Sequence, residues 1–163
     1  MRHEYRITKY DPGLRDVGGA YPVDEWTAFS HIGSRFSGRI LTKAEYLRVE
    51  DLYLNAIEAF LNEAAVPTLT IRDLQTRGLS GAAAKLWKTN RTLHSSDIGR
   101  FATMALRNKI WGRLEAPRRA FIHFGYDYYM YIGTSKRTPN AVVATNASGL
   151  FAEPFRSPYK RAA

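Results

Sequence analysis

The sequence predicts an α+β fold: a mostly antiparallel sheet with one long central helix, at about residues 43–65, and one or two shorter helices packed on it. Three observations predict it. A capped, broadly apolar segment runs from Thr42 until Pro67 stops it. The last third is built of short apolar runs separated by turn residues. Strands and helices do not alternate as a parallel sheet would require. With 163 residues, 45% hydrophobic and 24% charged, the chain reads as a single domain, 1–163, long enough to bury its own core.

Taken in order, Glu4 to Tyr10 alternates as a strand and Asp11-Pro12-Gly13 turns it. Residues 14–23 read as loop, and Asp24 as the cap of a short helix that turns Trp26 inward. Thr42 and Glu45 have the spacing of a capping box, in which each satisfies a backbone donor beside the other. In the helix that follows, Arg48, Asp51, Asn55, Glu58 and Asn62 recur every three or four residues as one wet stripe. The remaining circumference is apolar, which makes this helix the spine of the core. Thr68 to Arg72 is a short strand, and residues 73–94 fit either loop or a short helix. Ser95 or Ser96 caps a helix from Asp97 to about Asn108. Strands follow at Ile110–Glu115, Ala120–Phe124 and Tyr126–Ile132, with Gly125 marking either a tight hairpin or a bulge. A helix over Ala141–Ala147 ended by Gly149, a strand over Leu150–Phe155 and a flexible basic tail, 156–163, complete the chain.

Several classes are set aside by composition. The absence of cysteine removes disulfides, thiolate metal sites and a cysteine nucleophile. Met1 to Arg6 carries charge where a signal peptide needs an apolar run, and no stretch reaches the length of a membrane span, so the expected location is the cytoplasm without membrane contact. Charge is uneven. Residues 1–63 hold 8 Lys/Arg against 10 Asp/Glu, whereas residues 64–163 hold 16 against 5, within a total of +9. Such asymmetry calls for a polar partner.

Catalytic chemistry is sparse. His3, His31, His94 and His123 are too far apart in sequence for a helix-borne metal pair, so neither metal nor cofactor is expected. Gly78-Leu79-Ser80-Gly81 lacks both phosphate-loop patterns. Ser30-His31 is mere adjacency, and no nucleophile elbow is present. An RNase-like enzyme using His31 or His123 as acid and base is one alternative reading. The run Tyr126 to Tyr131 is unusual. As a strand it places Tyr126, Tyr128 and Met130 on one face and Asp127, Tyr129 and Tyr131 on the other. Beside Arg107, Lys109, Arg113, Arg118 and Arg119, such a face suits nucleic acid as a second alternative, or a protein interface.

The segments Tyr5 to Pro12, Asp24 to Thr27 with Ile32-Gly33, Leu41 to Leu47 and His123 to Tyr131, with Gly149-Leu150-Phe151 and Ser157-Pro158-Tyr159, resemble a family of small bacterial proteins. The resemblance implies an immunity partner of polymorphic or contact-dependent growth-inhibition toxins and carries over no catalytic residue. The leading expectation is therefore a non-enzymatic binding protein that occludes the active site of a cognate toxin. Its candidate contacts are Tyr126, Tyr128, Tyr131, Asp51, Glu58, Arg113 and Arg118. Either the basic half or the acidic helix stripe serves as the interface.

Overall fold

The computed structural model describes residues 3–77 and 79–159. Thr42 opens the long helix α1 (Lys43–Ala64) by accepting the Glu45 amide at 3.1 Å. Glu45 does not complete the capping box; its carboxylate pairs with Arg48 instead. Ala65 closes the helix in the left-handed conformation, φ 56°. All five residues of the wet stripe are exposed, while Tyr46, Val49, Tyr53, Ile57 and Phe60 are buried. The hydrophobic pattern thus aims α1 correctly, and it lies against the sheet as its spine.

The sheet has seven antiparallel strands, β1 (His3–Thr8), β4 (Thr68–Thr76), β5 (Thr92–His94), β6 (Ile110–Ala116), β7 (Ala120–Phe124), β8 (Met130–Thr134) and β9 (Phe151–Pro154). Their spatial order is β5-β4-β6-β7-β8-β1-β9. A separate two-stranded hairpin, β2 (Arg35–Phe36) with β3 (Arg39–Ile40), precedes α1. A one-turn helix, α2 (Gly81–Lys85), follows β4. Two further helices flank α1 on the same sheet face: α3 (Ser95–Leu106) over β4 to β6, and α4 (Pro139–Ala147) beside β9. One continuous apolar core lies between these layers. No helix among the described residues is long and apolar enough to cross a membrane.

Several local expectations change. Asp24 caps no helix; it binds the amide of Ser37 at 2.7 Å and fixes the β2–β3 turn. Ser95 and Ser96 are the first residues of α3, whose N-cap is His94 without a side-chain bond. The predicted flexible tail is partly ordered. Ser157 is buried and Tyr159 packs on Trp111 and Tyr131, so residues 156–159 belong to the fold. Residues 160–163 of that tail lie outside the described residues.

Ion pairs tie the elements together. Glu50, buried on α1, accepts two bonds from Arg107 at the end of α3, 2.6 and 2.8 Å. Glu63 lies at the other end of α1 and receives the amides of Asn140 and Ala141, so a carboxylate occupies the positive end of α4. At the β9 edge, the Ala152 amide is capped by the Asn146 side chain, and Pro154 has no amide to offer.

Two predictions follow from this packing. Gly133 sits directly opposite Phe121, whose ring lies across the space a side chain would need. The ring is itself stacked on His123 at 4.3 Å and cannot swing aside. Gly133→Ala should lower stability by about 1–3 kcal/mol, read from the urea midpoint at unchanged slope. Glu153 joins β9 to Arg15 and to Arg6, and the Arg15 guanidinium, chiefly, holds its carboxyl below the usual value. Because the folded value is depressed, this stability is present above the unfolded pKa and is lost as pH falls through the folded one. Glu153→Gln should therefore cost about 1–2 kcal/mol at neutral pH and flatten the acid limb of a melting-temperature profile below about pH 5.

Candidate functional site

The residues from Gly125 to Tyr129 form a tight hairpin, not a strand. The Tyr129 amide donates to the Tyr126 carbonyl at 3.0 Å and the Gly125 amide to the Tyr129 carbonyl at 2.8 Å. The central residues, Asp127 and Tyr128, have φ of 53° and 64°, as a type I′ turn requires. That geometry favours Asn-Gly and costs a residue with a side chain about 1–2 kcal/mol. Alternation therefore ends at Phe124, and the two-faced tyrosine strand expected from sequence does not exist.

Buried phenols hold the turn in place. Tyr10 donates its hydroxyl to the Asp127 carbonyl at 2.7 Å, and Tyr53 donates to the Tyr128 carbonyl at 2.8 Å. Tyr128 itself turns into the core, 4% exposed, and donates to the Tyr46 hydroxyl at 2.8 Å. Its ring meets Trp26, Tyr46 and Tyr53 edge-on, with centroids 5.0–5.8 Å apart. Burial pushes all four phenols above their ordinary pKa, so they remain protonated donors. Three hydrogen bonds at about 1 kcal/mol each outweigh the backbone strain once the burial of one ring is added. At the tip, Tyr126 stands 73% exposed beside exposed Asp127.

The sheet face away from the helices carries the other polar groups. Register places Arg72, Arg113, His123, Tyr131, Arg6 and Glu153 across it in one row. Residues 155–159 cross this row: Phe155 and Tyr159 cover Tyr131, and the Tyr159 carbonyl accepts from Arg113 at 3.2 Å. Arg113 also binds Asp73 at 2.5 Å and Glu115 at 2.7 Å. His123, 1% exposed, lies between Glu115 and Ser157, at 3.3 and 2.7 Å. A carboxylate only accepts, so Nε2 carries a proton, and in the neutral ring Nδ1 then accepts from the Ser157 hydroxyl. Hydroxyl, imidazole and carboxylate thus stand in the order of a hydrolytic relay. Ser157 is only 6% exposed, however, and also accepts the Tyr159 amide, so its hydroxyl ties down the C-terminal segment. His31 is held elsewhere, accepting the Thr27 amide and packing on Phe36.

The seven candidate contacts do not share one surface. Asp51 and Glu58 are exposed on the outer side of α1. Arg113 is buried and paired, and Tyr131 is covered, both on the opposite face of the sheet. Tyr128 is sealed in the core and presents no surface. Arg118 is exposed on the β6–β7 turn, and Tyr126 on the turn at the other end of β7. Of the tyrosines proposed, only Tyr126 reaches solvent freely. Sequence reasoning missed Arg72, Asp73 and Glu115. Alternation of Arg113 and Glu115 around Leu114 would have placed two of these polar groups on one face, but nothing in the sequence marks Ser157 as their neighbour.

Above the row, a groove of about 610 Å³ is lined by Arg72, Asp73, Asn90, Arg113, Arg118 and His123, among others. Several acids are engaged in ion pairs: Glu25 with Lys9, Glu45 with Arg48, Glu50 with Arg107, Asp97 with Arg91 and Arg100, and Glu153 with Arg6 and Arg15. The surplus positive charge is consequently presented outward. Among the described residues no cluster of His, Asp and Glu could hold a metal ion. Comparison with family models, curated proteins and solved structures finds no match to this chain.

Proposed function

We propose that this chain is a non-enzymatic binding protein that neutralises a cognate toxin by occluding its active site. The observation that carries the reading is the hairpin tip. A strained turn, fixed by three tyrosine hydroxyls, presents one aromatic side chain and one carboxylate to solvent. Strain of this kind persists only where the surroundings over-determine it, and it clusters at recognition sites. Tyrosine, with tryptophan and arginine, is enriched among the residues that dominate protein interfaces, and here one stands exposed on a backbone that is fixed. Rigidity also reduces the entropy lost on binding. Asp127 adds a negative group that complements a cationic catalytic centre. The burial and saturation of His123 and Ser157 weigh against the enzymatic alternative.

The proposal expects a toxin gene to adjoin this one, and the test uses the catalytic fragment that gene encodes. Wild-type protein should bind it and suppress its activity at equimolar ratio. Tyr126→Ala should weaken the complex by about thirtyfold or more, the effect of losing an anchor of about 2 kcal/mol, with the melting temperature unchanged because the ring is solvated. Calorimetry showing no affinity of the wild-type chain for that fragment removes the proposal.

A further inference from the structure

We infer that the groove on the open sheet face is a second binding site, independent of the hairpin tip, and that its ligand is the phosphodiester backbone of a single-stranded nucleic acid. Its walls carry three guanidinium groups, Arg72, Arg113 and Arg118, with Thr89 and Asn90 as neutral polar groups. Asp73 and Glu115 line it too, but both are ion-paired to Arg113, which leaves Arg72 and Arg118 as the outward-facing charges. Arg72 is braced by Asn90, and Arg118 stands exposed on its turn.

Positive charge continues past the mouth of the groove. The β6–β7 turn is bonded to the segment after β8, Ser135 donating its amide to the Arg119 carbonyl at 2.9 Å. This brings exposed Lys136 and Arg137 to the end of the sheet that Arg118 occupies, while Arg119 turns to the Ala65 carbonyl at the end of α1. A line of guanidinium and ammonium groups beside neutral donors matches repeated phosphates better than a single carboxylate. The site is concave and of small-ligand volume, so a duplex, which needs a protruding element to read it, does not fit, whereas a single strand does.

The experiment measures fluorescence anisotropy of a labelled single-stranded RNA of about twelve nucleotides, a length suited to such grooves, against the full chain across a salt series. Wild-type protein should bind at low salt with affinity falling steeply as salt rises. The double variant Arg72→Gln/Arg118→Gln should bind at least tenfold more weakly and show a salt slope reduced by about one unit per lost contact. A charge-matched control, Arg39→Gln/Lys43→Gln, alters exposed residues at the β2–β3 hairpin and the start of α1, away from the groove, and should change affinity less than twofold. Circular dichroism melting confirms that each variant is folded. Absence of binding by the wild type at low salt overturns the inference. So does equal loss in the control pair, which would mean diffuse attraction to net charge. Equally tight, arginine-dependent binding of poly-L-glutamate of matched length overturns the assignment to phosphate and points to an acidic protein. None of these outcomes depends on the toxin, and Tyr126→Ala should leave RNA binding intact.

Discussion

The contact between α1 and the β7–β8 turn fixes the rest of the molecule. Tyr46 and Tyr53 project from one side of the helix, and Tyr128 descends from the turn between them. Rings of this size bury much apolar surface, yet each brings a hydroxyl that must find a partner once dry. Here the hydroxyls satisfy one another and the carbonyls of a turn whose conformation is otherwise unfavourable. Packing and backbone geometry are therefore one decision. If the helix shifted, the turn would lose its anchors; if the turn relaxed, the helix would lose its central filler. Glu50 and Arg107 extend the arrangement to α3, and Glu63 extends it to α4.

Much of the architecture was legible in the sequence because it rests on periodicity. The long helix, its cap, its exposed stripe and the antiparallel strands of the last third all follow from patterns of three to four or of two. What escaped was decided by tertiary contacts. The tyrosine run alternates as well as any strand, but Tyr128 is worth more in the core than in a ladder, and the chain accepts left-handed backbone at two side-chain-bearing residues to put it there. Strand β5 is three residues long and is defined only by its pairing with β4. The order of residues 156–159 depends on an imidazole, a guanidinium and two rings, Trp111 and Tyr131, scattered over the chain. Among the candidate contacts, composition singled out tyrosines and arginines alike, without distinguishing exposed Tyr126 and Arg118 from buried Tyr128 and Arg113.

The two faces of the sheet solve different problems. One is sealed by three helices with apolar side chains. The other is polar and is closed partly by residues 155–159, whose Tyr159 carbonyl accepts from Arg113 and whose Ser157 hydroxyl pairs with His123. Acids such as Glu50, Asp73, Glu115 and Glu153 are spent on ion pairs within the fold, which sets the charge that maintains the fold apart from the charge at the rim. A chain with a formal charge of +9 can in this way hold nearly every buried guanidinium neutralised while its rim stays cationic.

The β9 margin has a wider consequence. An open sheet of seven strands has two borders at which a further chain could dock by backbone pairing. One border here is a three-residue stub, and the other has an asparagine amide group plugging a donor and a proline lacking one. Strand-by-strand accretion finds no template at either side. A protein accumulated at high concentration is thereby shielded from fibril growth.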